Sequence, residues 1–142
     1  DMLKQDQLIV QSKLENLNQV QQWFARFCFA SKLPWLEAAF DQVNLALAEG
    51  FTNAVRHAHA HLPQDTPIEI DLLLWQERLE VHVWDMGEPF DPDKLTEPQP
   101  GTLKEGGYGW FLMRRLADRV NYERNDLGRN CLRIVKCSTA PS

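Results

Sequence analysis

The clearest pattern in the chain is an apolar stripe between residues 34 and 61. Apolar side chains recur there every three or four positions, which predicts one long amphipathic helix over residues 34–61. Pro34 suits the first turn of such a helix, and Leu62 and Pro63 end it. A weaker helical pattern predicts a preceding helix over residues 16–30. The stripe consists of Leu36, Phe40, Val43, Leu47, Phe51, Ala54 and Ala58.

Two stretches with strict alternation follow the long helix. Residues 68–74 and 79–85 each place apolar side chains at every second position, and residues 76–78 between them are polar. This arrangement predicts an antiparallel hairpin of two half-buried strands. Weaker patterns predict an opening strand over residues 7–14, a helix over 108–119, and closing strands over 120–123 and 132–136 around a turn at 125–128.

The order of these elements predicts the fold class. Helices and antiparallel strands in blocks indicate an α+β two-layer sandwich, with a mainly antiparallel sheet covered on one face by helices. The 142 residues have the size of one domain, 1–142. Residues 86–107 contain four prolines and little periodicity. A loop of this length within a compact domain is usually functional, often a lid.

Charge and composition exclude some functional classes. The net charge of −5 argues against a general nucleic-acid-binding surface, which needs a basic face. No apolar run reaches the roughly 20 residues that cross a bilayer, so we expect no membrane association. The three cysteines are scattered and form no CxxC pair, which suits a reducing cytoplasm.

A line of polar side chains lies beside the apolar stripe of the long helix. Glu49, Asn53 and His57 are spaced by four and therefore share one side of that helix. Such a line is consistent with a plain solvated face. It also fits a carboxylate base beside an amide oxygen that ligates Mg²⁺, because this ion prefers hard oxygen ligands. His57 and His61 have the spacing of a shared metal site, but the pattern offers no third ligand.

An aspartate ends the core-facing side of the second hairpin strand. Asp85 follows Leu79, Val81 and Val83 at the same parity, and a carboxylate there is costly without a specific donor. It either caps the following turn or accepts a hydrogen bond from the amino group of an adenine. Gly87 would let a flat base approach the backbone.

Two further features complete the candidate site. The sequence Gly-Gly-Tyr-Gly from Gly106 to Gly109 directly precedes a predicted helix, so its backbone N–H groups and the helix N-terminus suit a phosphate. Read alone, it is equally compatible with a plain glycine-rich connector. Asn130 shares parity with Leu132 and Ile134 on the last strand, which places another polar group at the edge of the core.

Taken in order, these motifs resemble those of the GHKL superfamily of ATPases and kinases. Residues 49–57 (EGFTNAVRH) resemble its N box, residues 85–87 (DMG) its first glycine box, and residues 107–113 (GYGWFLM) its second. The wording of the N box and the run DMGEPFDP over residues 85–92 are most similar to the anti-sigma-factor serine/threonine kinases. The resemblance implies a Bergerat ATP-binding fold with residues 88–106 as a proline-rich ATP lid.

The resemblance also implies a role for each matching residue. Glu49 would be the general base towards an attacking serine hydroxyl, and Asn53 would bind ATP and ligate Mg²⁺. Asp85 would read the adenine amine, with Gly87 beneath the ring. Gly107 and Gly109 would hold the phosphates. Asn130, singled out by its parity on the last strand, is a further candidate for ATP binding.

Three functions remain open at this point. The resemblance implies a cytoplasmic kinase that phosphorylates an anti-sigma-factor antagonist and binds a sigma factor. Relatives often form dimers, so a homodimer is also expected. Relatives often carry a basic residue before the second glycine box, whereas Glu105 occupies that region here, beside Lys104. This departure favours a module in which ATP switches partner binding without phosphotransfer. The third interpretation is an α+β domain with no nucleotide site.

Overall fold

A computed structural model describes residues 1–97 and 108–139 of the chain. A five-stranded sheet forms one layer, with strand order β1-β2-β3-β5-β4 and every neighbouring pair antiparallel. Three α-helices in the described residues form the other layer. The strands are β1 (Met2–Gln11), β2 (Pro67–Trp75), β3 (Arg78–Asp85), β4 (Arg119–Arg124) and β5 (Asn130–Cys137), and the helices are α1 (Leu17–Ala30), α2 (Pro34–Asn53) and α3 (Tyr108–Leu116).

The core lies between the helices and one face of the sheet. Side chains of α2 such as Leu47 and Phe51 are fully buried there, together with Ile70, Val81 and Ile134 from three neighbouring strands. The alternation of β2 and β3 in the sequence therefore corresponds to one buried and one more open face. The predicted α+β two-layer sandwich with an antiparallel sheet is confirmed.

Some predicted boundaries were wrong. The opening strand spans Met2–Gln11 instead of residues 7–14, because it pairs along its length with β2. Helix α3 ends at Leu116 instead of residue 119, because β4 already begins at Arg119 and pairs there with β5.

The long helix also ends earlier than its periodicity predicts. Regular α-helix stops at Asn53, and Ala54–Ala58 form a π-helical turn. The His59 amide N–H donates to the Ala54 carbonyl over 2.8 Å, a bond that spans five residues. The predicted end at residue 61 was wrong because an apolar stripe does not distinguish these two hydrogen-bonding patterns.

The residues that join β3 to α3 include one short helical turn. Pro92–Lys94 form a 3₁₀ turn, which Asp91 caps by accepting a hydrogen bond from the Asp93 amide. Among the helices in the described part of the chain, none combines the length and apolarity that a bilayer-spanning segment requires.

Candidate functional site

A cavity of about 400 Å³ opens at one end of the two layers. The end of α2 and the π-helical turn border it on one side, and strands β3, β4 and β5 border it on the other. The segment after β3 and the start of α3 complete the wall. The lining residues are Gly50, Asn53, Ala54, His57, Ala58, Val83, Asp85, Phe90, Lys94, Leu95, Thr96, Trp110, Tyr122 and Leu132.

Asp85 is the buried carboxylate of this cavity, with 3% of its surface exposed. Its Oδ1 accepts hydrogen bonds from the Gly87 amide (3.0 Å) and from the Asn130 side-chain Nδ2 (2.7 Å). Its Oδ2 accepts one from the Tyr122 hydroxyl (3.3 Å). Asp85 therefore caps the turn that follows it, as one of the two interpretations predicted, and it also lines the cavity.

Asn130 fixes the relative position of Asp85 and the next turn. Besides its bond to Asp85, its Nδ2 donates to the Gly87 carbonyl over 2.8 Å, and the side chain is fully buried. Residues 85 and 130 are direct partners in the β3–β5 register. Asn130 therefore supports the carboxylate from the neighbouring strand, whereas its parity in the sequence indicated only a polar group at the edge of the core.

A close backbone contact explains the glycine in this turn. A Cβ atom at Gly87 would lie 1.7 Å from the carbonyl oxygen of Ala58 in the π-helical turn, so no side chain fits. The same contact is supported by His59, whose Nε2 accepts a hydrogen bond from the Met86 amide over 2.9 Å. Burial lowers the pKa of His59, which keeps Nε2 available as an acceptor.

Glu49 and Asn53 meet the start of α3. A Cβ at Gly109 would lie 2.9 Å from Oε2 of Glu49 and 3.0 Å from Nδ2 of Asn53, so the glycine permits this close approach. Helix N-termini carry partial positive charge, which favours anionic groups in this place. Gly50 of α2 is another glycine in a close contact, because a Cβ there would lie 2.8 Å from Leu132 and 3.6 Å from Met113.

The structure brings most of the predicted residues together. Asn53 and Asp85 both line the cavity, while Gly87 and Asn130 hold Asp85 from behind. Glu49 and Gly109 lie beside Asn53. The predicted phosphate-binding Gly107, together with Lys104 and Glu105, lies outside the described residues.

Sequence reasoning missed the aromatic wall of the cavity. The rings of Phe90 and Tyr122 are stacked with centroids 4.4 Å apart, and Trp110 meets Phe90 edge-on at 5.8 Å. Tyr122 pairs with Leu132 on β5 and thus has the same parity as Asn130. A polar group at a core-facing strand position singled out Asp85 in the sequence, and the hydroxyl of Tyr122 is another such group.

Comparison with known proteins places these motifs in one family. The family model described as a histidine kinase-like ATPase domain matches residues 10–136. The chain is similar to the serine-protein kinase RsbW of Bacillus pumilus, with 32% identity over 105 residues, covering 68% of this chain and 65% of that protein. RsbW of Bacillus subtilis is 33% identical over 104 residues, covering 68% and 64%.

The chain thus spans slightly less than two thirds of the length of these curated relatives. Among solved structures, it is similar to the RsbU and RsbW domains of a Mycobacterium tuberculosis protein, with a TM-score of 0.67 and 12% identity. The match covers 95% of this chain and 32% of that chain. At this identity the likeness concerns the fold, and it agrees with the predicted ATP-binding sandwich.

Proposed function

Because the chain belongs to the family of histidine kinase-like ATPase domains, we propose that it binds Mg-ATP beside Asp85 and phosphorylates a serine or threonine of a partner protein. The observation that carries the proposal is Asp85, a buried carboxylate held by neutral donors at the wall of a cavity. Burial of a charged acceptor is costly without compensation, and a ligand amine supplies a further donor. The amino group of adenine fits that requirement.

Asn53, which also lines the cavity, supports the binding of Mg²⁺ and the phosphates. The Asn53 amide oxygen is a hard ligand, and Mg²⁺ commonly needs few protein ligands when phosphates and waters complete its shell. Gly107 and Gly109 are the proposed phosphate-binding glycines, and residues 88–106 the proposed lid. Bound Mg-ATP would supply the transferable phosphoryl group and the charge of the metal ion.

Glu49 is the proposed general base. Its carboxylate lies beside Asn53 at the start of α3, next to the place assigned to the phosphates. There it would accept the proton of the attacking hydroxyl, which raises the nucleophilicity of that oxygen. Asn53 and the backbone around Gly109 would orient the groups that react.

The proposed substrate is an anti-sigma-factor antagonist, and the proposed second partner is a sigma factor. This assignment rests on the resemblance of residues 49–57 and 85–92 to the anti-sigma-factor kinases, and on relatives named serine-protein kinase RsbW. Nucleotide state and phosphorylation would then decide which partner is bound. A cytoplasmic location and a homodimer belong to the same proposal.

A second candidate function is a module that binds ATP without transferring phosphate. The acidic Glu105 favours it, because it occupies the region where relatives carry a cation able to stabilise the γ-phosphate. In that case nucleotide binding alone would change the affinity for a partner.

Two measurements test these proposals. Mg-ADP and Mg-ATP should raise the midpoint of thermal unfolding, since a ligand that binds the folded state stabilises it; no shift at millimolar nucleotide contradicts ATP binding. Incubation with γ-labelled ATP and candidate antagonist proteins should label a serine or threonine. Glu49→Ala should retain binding and abolish labelling, whereas Glu37→Ala, an exposed acid on the same helix, should retain both.

Labelled ATP also separates the two functions. Tight nucleotide binding without labelling of any candidate antagonist favours the switching module. Full labelling by Glu49→Ala contradicts the assignment of Glu49 as the base.

A further inference from the structure

The hydrogen bonds of Asp85 leave one acceptor position for a ligand. A carboxylate offers about four acceptor positions, two on each oxygen. The Gly87 amide and the Asn130 side chain occupy both positions on Oδ1, and the Tyr122 hydroxyl occupies one on Oδ2. The remaining position on Oδ2 belongs to a side chain that lines the cavity. A ligand amine bound there would share its acceptor atom with Tyr122.

The Tyr122 hydroxyl is held as a donor. Burial and the negative charge of Asp85 raise the pKa of Tyr122, so the phenol keeps its proton at physiological pH. With its single proton directed at Oδ2 over 3.3 Å, the hydroxyl occupies one acceptor position of the carboxylate. The carboxylate is thereby fixed on both oxygens and cannot rotate freely towards another donor.

The ring of Tyr122 is held independently of its hydroxyl. It stacks on Phe90 with an interplanar angle of 26°, and Trp110 in turn packs edge-on against Phe90. At a centroid distance of 4.4 Å no third ring fits between the two aromatic planes. A base in the cavity would therefore have to lie outside the stacked pair and not between its rings.

We propose that Tyr122 is a positioning residue that sets the preference of this site for a base with an amino group. Its hydroxyl would hold the Asp85 carboxylate so that the one open acceptor faces the cavity. A base that donates a hydrogen bond to this acceptor would then bind more tightly than a base without such a donor. The inference rests on the proposed nucleotide site. It adds Tyr122, which lies outside the three sequence motifs of that site.

A cycle of two proteins and two ligands tests this role. The proteins are the unsubstituted chain and Tyr122→Phe, which keeps the stacked ring and removes the hydroxyl. The ligands are Mg-ADP and the Mg complex of purine riboside 5′-diphosphate, which lacks the amino group. Dissociation constants come from isothermal titration calorimetry, and thermal unfolding confirms that each variant is folded.

Tyr122→Phe should weaken Mg-ADP binding about fivefold, because the hydroxyl no longer holds the Asp85 carboxylate in position for the ligand amine, and it should change binding of the analogue less than twofold. A purely structural role for the hydroxyl would weaken both ligands equally. Equal weakening, or no weakening of Mg-ADP, overturns the proposal. If the unsubstituted chain binds neither ligand, the nucleotide site itself is wrong, which is a different result.

Two further variants make the outcome specific. Asn121→Ala alters an exposed neighbour whose position on β4 alternates with that of Tyr122, and it should leave both dissociation constants unchanged. Phe90→Leu removes the stacked partner and should weaken both ligands by the same factor. If Phe90→Leu reduced the preference for the amino group as strongly as Tyr122→Phe, that preference would not come from the hydroxyl, and the proposal would fail.

Discussion

Strand β3 carries two buried carboxylates on opposite faces of the sheet, and they have opposite kinds of partner. Glu80 and Asp85 are 4% and 3% exposed. Arg133 contacts Glu80 through two bonds of 2.8 and 2.9 Å, and Arg78 and His82 each lie 3.0 Å from it. Asp85 has neutral donors, and no basic side chain in the described residues forms an ion pair with it.

The difference separates a carboxylate whose charge is paired within the fold from one that the proposed function assigns to ligand binding. The guanidinium of Arg133 holds the pKa of Glu80 at about 2, so the charge is compensated within the chain. Asp85 lines a cavity, and the groups that donate hydrogen bonds to its carboxylate are neutral. Two carboxylates that are equally buried can therefore have different roles. The charge of the side chains that contact each carboxylate distinguishes these roles.

The largest expected effect is on ligand binding at Asp85. In Asp85→Asn the amide oxygen would take the place of Oδ1 and keep the Gly87 and Asn130 donors. The amide NH₂ would then face the cavity and the Tyr122 hydroxyl, so a donor would meet the donor of the base. We expect Mg-ADP binding to weaken about 10- to 100-fold by calorimetry. A dissociation constant within twofold of the original would contradict the assignment.

Glu80→Gln should give the converse result. Loss of the negative charge leaves Arg133 and Arg78 without their ionic partner, while the size of the side chain is retained. We expect the free energy of unfolding in urea to fall by about 1–3 kcal/mol. Mg-ADP affinity should stay within twofold, because Glu80 lies on the sheet face opposite the cavity. A strong loss of affinity would show that the two carboxylates are coupled.

Acid titration sharpens the same contrast. The folded-state pKa of Glu80, about 2, lies below its ordinary value of 4.5. The unfolded chain therefore binds this proton first, so stability is present above pH 4.5 and is lost progressively as the pH falls towards 2. Glu80→Gln should remove part of this loss in urea unfolding measured across that range. Glu77→Gln, an exposed acid in the adjoining turn, is the control and should leave it unchanged.

The sequence predicts the fold well where the alternation of apolar and polar residues matches the buried and open faces of a strand. The alternation around Ile70 and Val81 identified β2, β3 and their buried face. By contrast, β1 was placed too late because Lys4 and Asp6 interrupt its apolar pattern. These side chains are satisfied by α1: Lys4 donates to the Phe27 carbonyl over 3.3 Å, and the Trp23 indole donates to Asp6 over 3.1 Å. Such contacts form only once the layers have assembled.

The candidate site was predicted to a similar extent. Parity along the strands singled out Asp85 and Asn130, and helical spacing singled out Glu49 and Asn53. Tyr122 was missed because a tyrosine on a strand is ordinary, and its bond to Asp85 joins residues 37 positions apart. The π-helical turn that brings His59 to the site was missed because it follows an uninterrupted helical pattern.

The smallest expected effect concerns His59, a neutral partner on the Asp85 side of the comparison. Burial lowers its pKa below the ordinary 6.5, so the unfolded chain binds the proton first. Stability is therefore complete above pH 6.5 and declines below it, by at most about 1.4 kcal/mol per pH unit for one proton. Protonation also converts Nε2 into a donor opposite the Met86 amide, so Mg-ADP affinity should fall over the same range.

Urea unfolding and calorimetry between pH 7.5 and 5.5 measure both effects. His59→Gln retains an acceptor but cannot be protonated, so it should flatten both pH profiles. The control, His61→Gln, changes an exposed histidine and should leave both profiles unchanged. If His59→Gln kept the full pH dependence, the titrating group would lie elsewhere.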